Sequence, residues 1–398
     1  MIRTIRQEEA RQSLELTQAA FAVRFSDNDM QERIAKMNME QFLGFYTDDR
    51  LAAQLAILPL RIYVQGEAFE MGGIAHVASY PELRRQGMVG KLLVRSLETM
   101  REKGQAVSML NPFSYGFYRK YGWEYFSAHN VYTFEMSAVP KVSAVPSGVV
   151  KRSQAGDWKQ ADLVYDAYAK RYNGMLKRDE NWWQRHVFNR KLGSMAIYYA
   201  PGDAGSGSLE PKGYMLYDIK DRFMSIHEFV YLDMDSRNGL WQFIGNHDSV
   251  ASKLKFTAPA DDPFLYALSE PKVQQEVFAN FMVRIVDTAA FVKQYRFASK
   301  VGPVSLTVRL HDEHAPWNSG IWRIDVCEDG TGTAVKEETG AEGTDAAGCT
   351  IQTFSTMMIG CQRPVQLAAQ GKLEGSMEAV AAWEQALPRR ISFMTDFF

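Results

Sequence analysis

The chain has 398 residues, of which 46% are hydrophobic and 23% charged, a composition typical of a globular protein whose length exceeds what one core usually serves. Lysine and arginine number 45 against 47 acidic residues, and the net charge of -2 excludes a global field that would draw the protein to nucleic acid or to a membrane. The three cysteines, Cys327, Cys349 and Cys361, show no metal-ligand spacing, and their odd number argues against a disulfide framework, so we expect free thiols.

The first 140 or so residues predict one α/β unit. It opens with a short alternating strand and an amphipathic helix, and continues as a meander of strands whose last member is stopped by Pro81. Apolar residues then recur at helical spacing from Val89 to Met100, and Gly104 ends that pattern. A further strand, a short aromatic-rich helix that ends at Gly122 and a closing strand complete the unit. Mixed strands with helices around them are typical of an α/β domain.

The turn between the stopped strand and the long helix reads RRQGMVG, from Arg84 to Gly90. The first backbone N–H groups of a helix have no partner inside the helix, and glycine lets a ligand come close to the main chain. A phosphate group fits such a place. The turn lacks the Lys-Ser/Thr pair of a P-loop and the early G-x-G of a dinucleotide fold. On spacing alone, a plain polar turn is an equally good interpretation.

A second region repeats this opening. Pro140, Pro146 and Gly148 mark a linker, and the strand-then-helix pattern after it hints at a duplication. A later strand of this region also runs into a turn and an apolar helix. That turn is shorter and holds only Arg237 and Gly239, so we do not expect a diphosphate there.

A third region begins at about residue 286. We predict strands at VSLTVRL, GIWRIDVCE and CTIQTF and helices such as MEAVAAWEQAL. The chain ends on Phe397 and Phe398, which is unusual for a frayed tail, since burying each ring could contribute roughly 2 kcal/mol. We therefore expect three domains, at residues 1–145, 146–285 and 286–398.

The RRQGMVG turn and the later helix end FYRKYGWEYF together resemble the GNAT acetyltransferase superfamily, whose pyrophosphate loop reads Q/R-x-x-G-x-G/A. Val89 stands where that consensus has Gly or Ala. The order of the whole chain resembles, more narrowly, the Eis (enhanced intracellular survival) acetyltransferases. This resemblance implies an α/β (α+β) fold with a catalytic GNAT domain, a degenerate second GNAT domain and a C-terminal sterol-carrier-protein-like α+β domain.

The resemblance also implies roles for particular residues. Acetyl-CoA would be the cosubstrate, with its pantetheine arm on strand backbone, its pyrophosphate in the turn and its thiol side lined by residues before the short helix. The residues that match the pantetheine segment are Val77, Ala78 and Ser79. Those that match the pyrophosphate turn are Arg85, Gln86, Gly87, Met88, Val89 and Gly90. Those that match the thiol side are Phe113 and Ser114. That family uses a tyrosine as general acid and its own C-terminal carboxylate as general base, and the matching positions are Tyr118 and Phe398.

Elementary acid–base chemistry allows both roles. Proton transfer from a tyrosine of pKa near 10 to the thiolate of a thiol of pKa near 8.5 is uphill by roughly 2 kcal/mol. Tyr118 would therefore donate a hydrogen bond early in the reaction and its proton late. Direct proton transfer from an ammonium of pKa near 10 to a terminal carboxylate of pKa near 3.5 is uphill by roughly 9 kcal/mol. The carboxylate must then work through water, on an amine already made acidic by attack, or with its own pKa raised by burial. The rings of Phe397 and Phe398 would supply that burial.

Other candidate residues have simpler interpretations. His311 and His314 could suggest a metal site, but the acids between them indicate a solvated loop, and we expect no metal. His76 is by default a satisfied strand histidine. Trp182 and Trp183 are more typical of a core than of a stacking platform.

Three acidic residues could draw a polyamine toward the cleft. Asp27 and Asp29 lie near the end of the first predicted helix, where a solvated helix end is the simpler explanation, and Asp396 lies beside the terminus.

The sequence therefore predicts an acetyl-CoA-dependent N-acetyltransferase for primary amines of small cationic molecules, and the resemblance adds aminoglycosides or polyamines as the class. The alternative is a carrier that uses the C-terminal domain for an apolar ligand. The N-terminus lacks the apolar core of a signal peptide and no run of about 18 apolar residues occurs, so we expect a cytoplasmic protein with no membrane or nucleic-acid partner. The resemblance implies a homo-oligomer, commonly a hexamer.

Overall fold

The computed structural model describes residues 1–142, 145–153, 155–202, 207–298, 303–337 and 346–398. In this part of the chain, a large sheet, a small sheet and the helices around them form a mixed α/β architecture, which confirms the predicted fold class. None of the helices found there has the length and apolar composition needed to span a bilayer. All three cysteines are free thiols.

The first region supplies the central strands of the large sheet and a long helix. Its strands are β1 (Ile2–Thr4), β2 (Phe42–Thr47), β3 (Arg50–Val64), β4 (Glu67–Ser79), β5 (Val107–Leu110) and β6 (Glu124–Glu135). Its helices are α1 (Ala10–Phe21), α2 (Asp27–Lys36), α3 (Met88–Glu102) and α4 (Tyr115–Arg119). The apolar positions of α3 recur every three or four residues, so one side of the helix is fully buried on β2, β3 and β4.

The second region repeats strand, helix and strand. Its strands are β7 (Val149–Ser153), β8 (Ser194–Pro201), β9 (Leu209–Lys220), β10 (Phe223–Tyr231), β11 (Lys253–Ala258) and β12 (Gln274–Ile285). Its helices are α5 (Trp158–Ala169), α6 (Glu180–Trp182), α7 (Phe188–Arg190), α8 (Met234–Gly245) and α9 (Phe264–Ala267). A π-helical turn, Trp183–Val187, joins α6 to α7.

The third region folds around the small sheet. Its elements are α10 (Thr288–Gln294), β13 (Val304–His311), β14 (Gly320–Val326), β15 (Gly332–Lys336), β16 (Ala347–Thr350), α11 (Ile351–Met358), α12 (Pro364–Ala369) and α13 (Met377–Ala386). The predicted strand CTIQTF is wrong beyond its first two residues. Thr350 caps a helix there, because its hydroxyl accepts a hydrogen bond from the N–H of Thr353 at 3.4 Å.

One sheet runs through the first two regions. Its strand order is β1-β2-β3-β4-β5-β12-β6-β11-β10-β9-β8-β7. β12, from the second region, lies between β5 and β6 of the first region and is antiparallel to both. The boundary predicted at residues 145 and 146 stays a prediction, since the backbone pairing of the two regions is shared.

The third region is joined to this sheet through β12. The small sheet has the order β15-β14-β13-β16, and α11 packs against β12 and β6. Arg284 of β12 and Asp312, which follows β13, form a buried ion pair of 2.6 Å. The end of the chain, beyond α13, returns from this region to the large sheet.

Candidate active site

Two parallel strands separate near the centre of the large sheet. β4 and β5 pair over four residues only, and the pairing stops at Ile74 and Leu110, where β5 ends. β4 continues to Ser79 and stays paired with β3 on its other side. Among the described residues, no strand pairs with the β4 edge that faces the gap. The predicted pantetheine segment, residues 77–79, lies on this free edge, so its main chain is open to an extended ligand.

A β-bulge re-aims the chain at the start of the free edge. His76 and Val77 together oppose Leu55 of β3, and His76 has a φ of +51°. The His76 side chain is exposed, yet desolvation by the surrounding protein lowers its pKa, and the charges of Arg33 and Arg190 lower it further. A side chain that is accessible but surrounded by protein lies at the floor of a concave surface. We infer a cleft over this bulge.

The N-terminus of α3 is uncapped by any side chain. Gly87 is the N-cap residue, has a φ of +77°, and leaves open space where a Cβ would lie. The first α3 amide that donates to a described carbonyl is that of Lys91, which bonds Gly87 at 3.0 Å. The amides of the residues before it are therefore available to an anion. Arg85 and Gln86 are exposed beside them, whereas the side chain of Met88 is buried, so that residue offers only its N–H.

The second glycine of the motif serves packing. A Cβ at Gly90 would lie far inside van der Waals contact of the Tyr121 hydroxyl, so a larger residue would displace that ring. Tyr121 in turn stacks on His314 at 5.0 Å between ring centroids. Gly90 thus lets α3 approach the end of α4. Val89, next to it, is half-buried, and the departure from the family consensus is accommodated at the surface of the core.

The residues predicted to line the thiol side follow β5. Phe113 is 74% exposed although it is aromatic, and its ring lies 5.4 Å from that of Tyr118. Ser114 is half-buried and begins α4. An exposed aromatic ring at the mouth of a strand gap is available for contact with a ligand.

Tyr118 is buried beneath α3. Only 3% of its surface is exposed, and its ring packs edge-on against Phe117 at 5.1 Å in a cluster with Ile74 and Leu110, the residues where β4 and β5 part. Burial raises the pKa of Tyr118 well above its ordinary value. Its hydroxyl donates no hydrogen bond to the described residues. A neutral phenol with an uncommitted proton is what a general acid requires.

The last residue reaches the same strand from the opposite face of the sheet. A Cβ at Gly73 would lie 2.8 Å from the Phe398 ring, which also packs against Leu60 and Phe281. Gly72, whose Cβ would meet Met100 of α3, marks the other face. Phe398 and Tyr118 therefore lie on opposite faces, each within one residue of the point where β4 and β5 part.

The chain end is less buried than the sequence predicted. Phe398 is half-buried, but Phe397 is 52% exposed. Phe397 lies instead under Arg190, whose guanidinium carbon is 5.0 Å from the ring centroid and which donates to the Phe397 carbonyl. The Phe397 ring is thus in contact with Arg190 and is not buried as the sequence predicted.

Two of the three acidic candidates, Asp29 and Asp396, are engaged within the protein. Asp27 and Asp29 begin α2 rather than ending the first helix, and Asp29 accepts a hydrogen bond from Ser26 at 2.8 Å in a capping box. Asp396 is 5% exposed and is paired with Arg178 at 2.9 Å. Asp396 is thus used inside the protein, which corrects the idea that it draws a polyamine to the terminus.

The remaining candidates are structural. Trp183 is fully buried, and Trp182 is buried and stacks on His186 at 4.0 Å. His314 bonds the Lys120 carbonyl at 2.8 Å and so joins the third region to the end of α4. In the part of the chain that the structure describes, no group of three or more His, Cys, Asp or Glu side chains could hold a metal ion.

Sequence reasoning missed two features of this site. His76 was interpreted as a satisfied strand residue, because the bulge that exposes it has no signature in the local sequence. The pairing of Arg178 with Asp396 was also missed, since 218 residues separate them and nothing local predicts the contact.

Three successive parts of the chain match known protein families. Family models described as acetyltransferase (GNAT) domains match residues 1–126 and 174–285, and a sterol carrier protein domain matches residues 288–395. An uncharacterized N-acetyltransferase of Streptomyces avermitilis is 23% identical over 92% of this chain and 89% of its own length. N-acetyltransferase Eis of Mycobacterium tuberculosis is 22% identical over 64% of this chain and 65% of its own length. The crystal structure of a probable N-acyltransferase from Enterococcus faecalis, 27% identical, superposes with a TM-score of 0.89 and covers 100% of this chain and 99% of that one.

Proposed function

The chain is a GNAT N-acetyltransferase of the Eis-like family, and we propose that it moves the acetyl group of acetyl-CoA to a primary amine of a small molecule. In this proposal Tyr118 is the general acid and the C-terminal carboxylate of Phe398 is the general base. The observation that carries it is the convergence on one stretch of β4. The free edge of β4 begins where β4 leaves β5, Tyr118 and the Phe398 ring pack within one residue of that point on opposite faces of the sheet, and the uncapped N-terminus of α3 follows β4 in the chain.

The residues of the chain would divide the chemistry as follows. The free amides before Lys91 would hold the diphosphate, and the edge at residues 77–79 would pair with the pantetheine arm. As the amine nitrogen forms its bond to the acetyl carbon, its acidity rises and the terminal carboxylate takes its proton, directly or through water. When the carbon–sulfur bond breaks, Tyr118 gives its proton to the leaving thiolate. Its raised pKa keeps it protonated until that step.

The cleft over His76 is where we place the acceptor amine. Arg33 and Arg190 put positive charge there, since both act on the His76 imidazole. Nearby positive charge lowers the pKa of a bound amine and so favours the neutral, nucleophilic form. The same charge weakens the attraction for a polycation. Aminoglycosides or polyamines are the acceptors that the family resemblance proposes. The two arginines favour a second candidate instead, amines that also carry a carboxylate.

An amine panel separates these candidates. Purified protein, acetyl-CoA and each of several aminoglycosides, polyamines, amino acids and lysine peptides would be followed by thiol release and by a mass increase of the acceptor. We expect acetylation within at least one class. Absence of thiol release with every class would overturn the proposal and leave the carrier alternative, which predicts binding of an apolar ligand without transfer. A homo-oligomer, commonly a hexamer, stays a proposal that light scattering on the same sample would test.

A further inference from the structure

The last eight residues of the chain are held mainly by the second region. The N–H of Asn173 donates to the Ile391 carbonyl at 2.9 Å, and the N–H of Phe393 donates to the Asn173 carbonyl at 2.9 Å. Lys191 Nζ donates to the Thr395 carbonyl at 3.0 Å. With the Arg190 contact to residue 397, these bonds anchor the tail at intervals of two residues.

A buried ionic cluster lies at the centre of these contacts. Arg178 Nε donates to both carboxylate oxygens of Asp396 at 3.1 Å, and its Nη1 donates to Glu228 at 3.2 Å. The side chains of Arg178 and Glu228 are 0% exposed and that of Asp396 is 3% exposed. Burial alone would raise the pKa of Glu228, but Arg178 and Lys191 lower it overall, so the carboxylate stays charged. We call Arg178, Glu228 and Asp396 the tail clamp.

Neutral donors complete the tail clamp. Asp396 accepts further hydrogen bonds from the indole N–H of Trp182 at 2.9 Å and from the Tyr165 hydroxyl at 3.1 Å. Glu228 accepts one from the Tyr214 hydroxyl at 2.6 Å. All of these donors lie in the second region. The guanidinium of Arg178 also lies 3.8 Å over the Tyr165 ring. Little freedom is left to residue 396.

Such a cluster is an expensive way to gain stability. Removing two carboxylates and a guanidinium from water is unfavourable, and apolar replacements of similar volume are often as stable or more so. What charged and bidentate hydrogen bonds add is geometric specificity. Here that specificity falls two residues before the chain end, and two residues span about 7 Å. A fixed Asp396 therefore confines the terminal carboxylate to a small volume beside Gly73.

We infer that Arg178 and Glu228 are positioning residues for the terminal carboxylate, so that the second acetyltransferase region serves the active site of the first by holding the end of the chain. This inference rests on the proposed role of the Phe398 carboxylate. It assigns a task to the second region, which we do not expect to bind coenzyme because its strand-to-helix turn is shorter.

A double-mutant cycle tests the inference in the full-length protein. Asp396→Asn keeps the shape of the side chain but removes the charge that pairs with Arg178, and one glycine added after Phe398 moves the terminal carboxylate away. We expect Asp396→Asn to lower kcat by about 10- to 100-fold, the scale of a misplaced catalytic group, with the KM for acetyl-CoA within twofold of wild type. In the glycine-extended protein, the same substitution should change kcat by less than about twofold, because the positioned group is already lost.

A merely structural role gives a different pattern. Loss of general stability would lower kcat by the same factor in both backgrounds, and that result would overturn the inference. A kcat unaffected by the added glycine would instead remove the proposed general base, whatever the clamp does. If Asp396→Asn fails to fold, Trp182→Phe removes one neutral donor to Asp396 and leaves the ion pair, and we expect the same dependence on background with a smaller drop.

A second readout does not depend on catalysis. Carboxypeptidase A should release phenylalanine from Asp396→Asn at least about tenfold faster than from wild type, since a loosened tail reaches the protease more often. Arg237→Gln is the matched control, because Arg237 is a buried arginine of the same region, 3.8 Å from Asp262, with no hydrogen bond to residues 391–398 in the described structure. The control should release phenylalanine at the wild-type rate. Equal rates for Asp396→Asn and wild type would show that the cluster does not hold the tail.

Discussion

The two acetyltransferase regions build the same strand, turn and helix with opposite outcomes at the turn. β4 runs into α3 in the first region, and β10 runs into α8 in the second. Each strand pairs with a parallel neighbour over four residues, β4 with β5 and β10 with β11. Just beyond that stretch, each has a β-bulge in its pairing with its antiparallel neighbour, β3 or β9. The frame that could hold a coenzyme is therefore present twice.

The helix N-termini differ. α3 begins at Gly87, which has no side chain to satisfy the amides that follow. α8 begins at Asp233, whose carboxylate accepts from the Ser236 N–H at 2.8 Å, while the Ser236 hydroxyl accepts from the Asp233 N–H at 3.3 Å. The capping box uses the amides that a diphosphate would need and places a negative charge there. We therefore expect coenzyme at the N-terminus of α3 and not at that of α8.

The bulges differ in the same sense. The β4 bulge leaves the His76 side chain exposed, whereas the β10 bulge leads into Glu228, which is buried and bound by Arg178 and Lys191. The interior that a ligand would occupy in one region holds an ionic cluster in the other. On our inference, the second acetyltransferase region supports the end of the chain.

The largest expected effect is the loss of kcat when the proposed general acid of the first region is removed. Tyr118→Phe should lower kcat by roughly 10² to 10⁴, the scale of general acid catalysis, with coenzyme affinity unchanged. Steady-state thiol release measures kcat, and equilibrium titration measures coenzyme binding. Near-wild-type turnover would remove Tyr118 from the mechanism.

The next largest effect is on coenzyme affinity, when the N-cap of α3 is given a carboxylate like the one that Asp233 places at the N-cap of α8. Gly87→Asp should weaken coenzyme A binding by about 10- to 100-fold, because a carboxylate at the N-cap competes for the free amides and repels the diphosphate. Nothing lies within 4 Å of the position of the new Cβ, so the side chain meets no neighbour, and the strain of a non-glycine residue at a φ of +77° is shared by the asparagine control described next. Calorimetric titration with coenzyme A measures the affinity.

Two variants control for shape and for stability. Gly87→Asn has the size of Asp and tolerates a positive φ, but carries no charge, so it should bind coenzyme several-fold better than Gly87→Asp. Asp233→Ala should lower the free energy of unfolding by about 1 kcal/mol through loss of a cap and leave coenzyme affinity unchanged. Equal affinities of the Asn and Asp variants would show that charge at the N-cap is not what distinguishes the two turns.

A smaller effect separates packing from binding. A Cβ at Gly90 would collide with Tyr121, and one at Gly239 of α8 would collide with the Tyr198 ring. Alanine at either position should lower the free energy of unfolding by about 1–3 kcal/mol, and less at Gly90, where the hydroxyl end of Tyr121 can swing away. Chemical denaturation measures both. A change in coenzyme affinity in the Gly239→Ala protein would contradict the assignment of binding to the first region alone.

The smallest expected effect is on the alkaline limb of the pH profile. Burial raises the pKa of Tyr118 above its ordinary value, so the phenol stays protonated and kcat should not fall between about pH 8 and pH 10. A general acid with an ordinary or lowered pKa would lose activity toward the upper end of that range. A falling limb that disappears in Tyr118→Phe would place the phenol in a more polar site than the structure gives it.

The sequence predicted what local rules control. The RRQGMVG turn, the helix after it and the aromatic-rich α4 were predicted, because glycine spacing and helical periodicity are local signals. The same kind of signal was present but not used at the second turn, where Asp233 and Ser236 have capping-box spacing. At Thr350 a β-branched run suggested a strand, but capping and tertiary packing favoured a helix.

Long-range contacts could not be predicted from one sequence. Arg178 and Asp396 come together only because β12 carries the third region back to the large sheet, and Phe398 meets Gly73 for the same reason. The exposure of His76 depends on the register of a bulge. The role of the chain end was therefore predicted from family resemblance alone, and it stays a prediction.

The central claim is that the chain holds one coenzyme, on the open N-terminus of α3. Calorimetric titration of the wild-type protein with coenzyme A, paired with a crystal structure of the complex, tests it most directly. We expect a stoichiometry of one per chain, with the diphosphate on the amides before Lys91 and the thiol side near Phe113. Two coenzymes per chain, or a diphosphate bound at the Asp233 end of α8, would contradict the account.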